Sequence, residues 1–141
     1  MDDPFNLQRF VFAQQPVVDN VLDELHAGRK QSHWMWFVFP QIRGLGHSAM
    51  AQKFAIASLE EARAYLLHPI LGMRLRECSR IVADTEGRSI NEIFGDPDDM
   101  KFHSCMTLFS KATEDNEIFR QCLRKYFSGQ EDPHTLALIG A

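Results

Sequence analysis

No aspartate or glutamate occurs between Glu24 and Glu60. The same window carries Arg29, Lys30, Arg43 and Lys53, so an overall net charge of −4 conceals a locally positive segment in a negative remainder. An acidic protein is a poor general binder of duplex nucleic acid, whereas a positive stretch suits a small anionic ligand. Solvated surface charge would give the same pattern.

Other absences exclude further classes. No stretch approaches the roughly 18–20 apolar residues needed to cross a bilayer, so no membrane association is expected. The opening Met-Asp-Asp-Pro lacks the basic-then-apolar pattern of a secretory leader, which makes a cytoplasmic setting the expectation. Cys78, Cys105 and Cys122 are odd in number and lack Cys-x-x-Cys spacing. Neither a disulfide framework nor a structural zinc site fits them, and buried free thiols are the plain reading. None of the six histidines pairs as His-x-x-x-His, so no metal is expected, and no cofactor either. There is no Gly-x-Ser-x-Gly elbow, no phosphate-binding Walker loop and no dinucleotide fingerprint. Low-complexity segments, long linkers and fixed-period repeats are also missing, which leaves one domain over 1–141.

What is present is a succession of helix signals. Asp3-Pro4 reads as a cap and first residue of a helix ending near Gln15, and Pro16 opens a second whose Val17, Val18, Val21, Leu22 and Leu25 form an apolar stripe. Gly28 stops it. The run His33–Phe39 is read as a short helix ended by Pro40, and Gln41–His47 as a loop. Ser48 starts a helix carrying Met50, Phe54 and Ile56. Ser58 with Glu61, and Ser89 with Glu92, have capping-box spacing. Pro69 restarts the chain into a helix with Leu71, Leu75, Cys78 and Val82 inward. Asp96-Pro97 and Asp132-Pro133 repeat the Asp-Pro start, and Asp115 or Asn116 opens the helix that ends at Gly129. An all-α, single compact domain of about eight helices follows.

The segment Ser32–Ser48 concentrates the chemistry. Trp34, Trp36, Phe37 and Phe39 either anchor the core or stack a planar ligand. Helical spacing sets Trp34, Phe37 and Val38 near one face and Trp36 on another, so one indole belongs to the core and the other to a pocket wall. Arg43-Gly44-Leu45-Gly46-His47-Ser48 is either a plain turn or an anion cradle, with Arg43 as clamp and Gly44, Gly46 and Ser48 offering backbone N–H groups. Gln41 and His33 flank it. Lys53, among Ala51, Phe54 and Ala55, is either a solvent-reaching lysine or a desolvated nucleophile. Asp96, Asp98 and Asp99 suit a helix start, and Asp96 or Asp98 could instead orient Lys53, His33 or a substrate hydroxyl. The spaced oxygens of a calcium loop are absent there. Lys101 closes that turn.

Several blocks in order resemble the bacterial family known as domain of unknown function 1810, some members of which carry the label calpastatin. They are D-P-F-N-L-Q-R-F-V at Asp3–Val11, G-R-K-Q-S-H-W-M-W-F-V-F-P-Q at Gly28–Gln41 and G-L-G at Gly44–Gly46. E-A-R-A-Y-L-L-H-P-I-L-G at Glu61–Gly72, I-F-G-D-P-D-D-M-K at Ile93–Lys101 and S-C-M-T-L-F at Ser104–Phe109 complete them. The resemblance implies a compact all-helical domain and no assigned activity. The calpastatin label implies a calpain inhibitor, but no disordered inhibitory repeat is visible. Ser48–Phe54, ending Ala-Gln-Lys-Phe, is similar to a short motif of the NADAR family of ADP-ribose glycosidases, which would give Lys53 a role at a ribose with an aspartate nearby.

Two functions follow. The first is a cytoplasmic domain whose pocket, walled by His33, Trp34, Trp36, Arg43, Lys53 and the Asp96–Lys101 turn, binds a small nucleotide-, phosphate- or ribose-containing ligand. Its catalytic extension would be hydrolysis or glycosidic cleavage of a nucleotide- or ADP-ribose-like substrate by Lys53 with Asp96 or Asp98. The second is a non-catalytic protein-interaction module. Convergence of Trp36, Arg43 and Lys53 on one concavity separates the two.

Overall fold

The computed structural model describes residues 2–140. Ten helices occur among the described residues: α1 (Gln8–Gln14), α2 (Val18–His26), α3 (Met35–Val38), α4 (Ala49–Lys53), α5 (Leu59–Leu67), α6 (Leu71–Asp84), α7 (Ile90–Phe94), α8 (Asp98–Ala112), α9 (Glu117–Phe127) and α10 (Pro133–Ile139). The all-α class is as expected. The count is ten rather than about eight, and the short α3, α4 and α7 fall at the starts read at His33–Phe39, Ser48 and Ser89.

α8 is the axis. It packs on α5, α7, α9 and α10, and buries Phe102, Cys105, Met106, Leu108 and Phe109 around its circumference. Such all-round burial marks a central helix. α6 lies between α2, α5 and α9. Gly72 lets α6 approach the end of α5, since a Cβ there would sit 2.0 Å from the Leu66 carbonyl oxygen. Aromatic rings knit the centre: Phe39 meets Phe94 and Phe102 edge-on, and Phe94 stacks on Phe102 at 4.9 Å.

Local cap chemistry sets several boundaries. The hydroxyls of Ser48, Ser58 and Ser89 accept from the backbone N–H groups of Ala51, Glu61 and Glu92. At Ser89 the Glu92 carboxylate returns the bond, completing the box. At Ser58 it does not, because Glu61 takes the Ala57 N–H on one oxygen and Arg9 on the other. Asp132 accepts from the N–H and hydroxyl of Thr135 and from the Ser104 hydroxyl, which docks α10 on α8. Burial alone would raise its pKa. The Thr135 and Ser104 hydroxyls, the Thr135 amide and nearby His103 outweigh that and hold the carboxyl below its ordinary value.

Three boundaries differ from the sequence reading. Asp3 does cap, but from farther off: it accepts from Leu7 and Gln8, with Pro4 and Phe5 in a turn, so the helix proper begins at Gln8. Asp96 makes no cap bond, since Pro97 occupies the position before α8. Most consequentially, the helix from Ser48 stops at Lys53. Ile56 leaves it to pair with Ile42 as an isolated parallel bridge, Arg43 N–H donating to Ile56 O and Ile56 N–H to Gln41 O, each at 2.8 Å. That pairing closes the chain from 42 to 56 into an arch.

The three cysteines are buried and free. Burial pushes the thiols of Cys78 and Cys122 up to about 12 and raises that of Cys105 as well, so all three stay protonated and unreactive.

Candidate functional site

A cavity of about 410 Å³ lies under the arch. Trp36 of α3 forms one wall, and the loop supplies Gln41, Ile42, Arg43 and Gly44. Gly46 and His47 continue it, Ala51 and Gln52 of α4 face them, and Phe54 and Ala55 close the far side. Among the described residues no carboxylate lines it. Arg43 and His47 are its ionisable side chains, and among the described residues no hydrogen bond or ion pair engages the Arg43 guanidinium.

The glycines are there for space and conformation. Gly44 has φ +108°, a region that side chains disfavour. A Cβ on Gly46 would lie 2.6 Å from that of Ala51, so α4 seats on this residue only while it is glycine. Gln52 fastens the loop by donating to His47 O at 2.9 Å.

Arg9 rivets the closing segment. Its guanidinium donates to the carbonyls of Lys53 and Ala55, to Phe5 and Asn6 in its own segment, and to the buried Glu61 at 2.9 Å. Two paired charges held with this many hydrogen bonds satisfy the desolvation that burial imposes. The sequence reading missed Arg9 altogether and took Glu61 only as a cap, because neither partner is near the other in the chain.

The entry to the aromatic segment is held by Glu24. Its carboxylate accepts from the backbone N–H groups of Gln31 and Ser32, from the Ser32 hydroxyl and from the Trp34 indole at 3.0 Å. Burial works against its charge, but those bonds prevail and keep its pKa below the ordinary value. Trp34 is thereby fixed in the core at 1% exposure, beside Phe39. It is not a wall of the cavity, which corrects its place among the expected ligand contacts.

The remaining residues singled out in the sequence divide sharply. Trp36, Gln41, Arg43, Gly44 and Gly46 come together in the cavity. His33 is exposed on the turn before α3. The Ser48 hydroxyl is used as the cap of its own short helix and does not line the cavity. Lys53 is exposed rather than desolvated, and lines a neighbouring hollow with Arg9 and Phe12. Asp96 is exposed ahead of α8. Asp98 pairs with Lys30 at 2.8 Å and with Lys101 at 3.6 Å. Lys53 therefore shares no cavity with Asp96 or Asp98. Lys101 stays outside the cavity too, but its ammonium lies 5.3 Å from the ring centroid of Trp36. The residues that sequence reasoning did not single out, Ile42, His47, Ala51, Gln52, Phe54 and Ala55, join only through the bridge. His47 had a signal, its place in the Gly-Leu-Gly-His block.

Among the described residues no group of three or more His, Cys, Asp or Glu is placed to hold a metal ion, and no helix is long and apolar enough to cross a membrane.

A family model described as "Protein of unknown function (DUF1810)" matches residues 4–139. A solved structure, the crystal structure of the conserved hypothetical protein Rv1873 from Mycobacterium tuberculosis, is similar at 57% identity with a TM-score of 0.97, over 99% of each chain. No curated protein matches. Neither finding supports the calpastatin label or the similarity to ADP-ribose glycosidases.

Proposed function

The chain belongs to the family described as Protein of unknown function (DUF1810), which carries no assigned activity, and from the chain's own geometry we propose that it binds a small anionic ligand under the arch. The ligand class is nucleotide-, phosphate- or ribose-containing. One observation carries this reading: Trp36, Gln41, Arg43, Gly44 and Gly46 converge on one cavity that holds the cationic Arg43 and, among the described residues, no carboxylate. A volume of about 410 Å³ suits a mononucleotide-sized molecule, since ligand pockets run from roughly 300 to 1,000 Å³. Arg43 would take the anion, Gln41 a polar edge, and the Trp36 indole a planar group. A cytoplasmic setting, where such ligands occur, belongs to the same reading.

Catalysis is not part of the proposal. Lys53 opens on a different hollow and Asp98 is committed to two lysines, so the pair expected to hydrolyse a glycosidic bond has no shared substrate position. The interaction-module alternative lacks a supporting observation of the same kind. The exposed apolar side chains Phe12, Met50, Leu67, Met73, Met100 and Leu138 sit on six different helices, and single exposed apolar groups are normal on a surface.

The test is a thermal-shift screen of the purified chain against nucleotides, ADP-ribose, NAD and sugar phosphates. A ligand at about 100 times its dissociation constant adds roughly 2.7 kcal/mol to the folded state. The expected result is a shift that Arg43→Ala removes. No shift across the panel, or a shift that survives Arg43→Ala, contradicts the proposal.

A further inference from the structure

Trp36 has a second neighbour besides the cavity. The Lys101 ammonium lies over its ring, 5.3 Å from the centroid, and Lys101 is not a lining residue. The Trp36 indole is thus shared between the cavity wall and a lysine that lies outside it. One turn of chain away, Lys30 lies 5.1 Å from the ring of Trp34. Both lysines turn to a single carboxylate, Asp98, at 2.8 Å from Lys30 and 3.6 Å from Lys101. Two positive charges share one negative charge, and the nearer lysine takes most of it. Lys101 is therefore the less closely compensated of the two lysines, with Glu24 as a second carboxylate on the Trp34 side.

An open tryptophan face ordinarily attracts cations, because the ring presents negative π density. Here that density is already drawn toward Lys101. On the cavity side Arg43 adds a positive charge, and among the described residues no acid lines the cavity. From this arrangement we propose that the cavity selects by ring charge: it accepts an anionic ligand whose planar ring is neutral and electron-rich, such as a purine nucleotide, and discriminates against a cationic ring such as oxidised nicotinamide. This deepens the ligand-binding reading and rests on it.

The experiment titrates the full chain with AMP and with oxidised and reduced nicotinamide mononucleotide, which differ from each other in ring charge. AMP and the reduced form bind about two- to fivefold tighter than the oxidised form, the factor equivalent to the roughly 0.5–1 kcal/mol of one exposed cation–π contact. Lys101→Met lowers that ratio, while Lys101→Arg, which keeps the cation over the ring, retains it. Thermal melts of both variants confirm folding, as expected for a side chain 24% exposed. Equal or tighter binding of the oxidised form, or a ratio unchanged in Lys101→Met, overturns ring-charge selection and leaves the binding reading standing. Failure of all three probes to bind overturns both.

Discussion

Trp34, the residue before α3, and Trp36, within it, stand two residues apart and have opposite surroundings. Trp34 is sealed at 1% exposure, its N–H taken by Glu24 and its ring packed beside Phe39. Trp36 is half-buried, with the Lys101 ammonium 5.3 Å from its ring centroid, and lines the cavity. The contrast extends to whole regions. Around Trp34 and along α8, polar groups end on protein partners: Glu24 holds a turn, and Asp132 joins Ser104 and Thr135. Around Trp36, Arg43 lines the cavity with no protein partner for its guanidinium among the described residues. Satisfied polar groups build a fold, and convergent unsatisfied ones are what a ligand can use.

The widest split between the regions is expected from the tryptophans themselves. Trp34→Ala should cost about 3–5 kcal/mol of stability, the usual range for truncating a buried large aromatic residue. Trp36→Ala should cost much less and still remove ligand binding. Denaturant unfolding with a ligand titration reads both, and equal destabilisation of the two variants would erase the distinction.

A backbone contact gives the next largest effect. Gly72→Ala places a Cβ 2.0 Å from the Leu66 carbonyl oxygen, and overpacking of this kind costs about 1–3 kcal/mol. A melting temperature equal to that of the parent would show that α5 and α6 separate freely.

Acid should act on the satisfied region. Asp132 has a folded-state pKa below its ordinary value, so its contribution is present above the unfolded pKa of about 3.9 and is lost as pH falls through the folded value. Asp132→Asn should be less stable than the parent at neutral pH by about 1–3 kcal/mol, from weakened charge-assisted hydrogen bonds. The gap should close below about pH 4. A gap that stays constant from pH 7 down to acid unfolding would assign the group no linkage.

The smallest stability effect belongs to Arg43→Ala. An exposed side chain without a partner should change stability by no more than about 0.5 kcal/mol. Any larger loss would mean that Arg43 serves the fold.

Parts of this arrangement were legible in the sequence because their chemistry is local. Ser48, Ser89 and Asp132 bond backbone groups three residues on, and Gly28 follows the end of α2 where expected. Three-residue spacing also showed that the two tryptophans part company, though not which one turns inward. That choice is made by Glu24, ten residues away from Trp34. The arch was not legible, since Ile42 and Ile56 pair across a loop and Arg9 reaches Lys53, Ala55 and Glu61 from the other end of the segment. The apolar sequence neighbours of Lys53 left a solvent-reaching and a desolvated lysine both open, and the structure has Phe54 and Ala55 buried with Lys53 exposed.

The most direct test of the cavity uses the tryptophans as reporters. Intrinsic fluorescence of the parent and of Trp36→Phe is followed while AMP is added. Saturable quenching in the parent that disappears in Trp36→Phe, where sealed Trp34 alone emits, is the predicted result. No quenching in the parent, or quenching that persists in Trp36→Phe, would contradict a ligand site at Trp36.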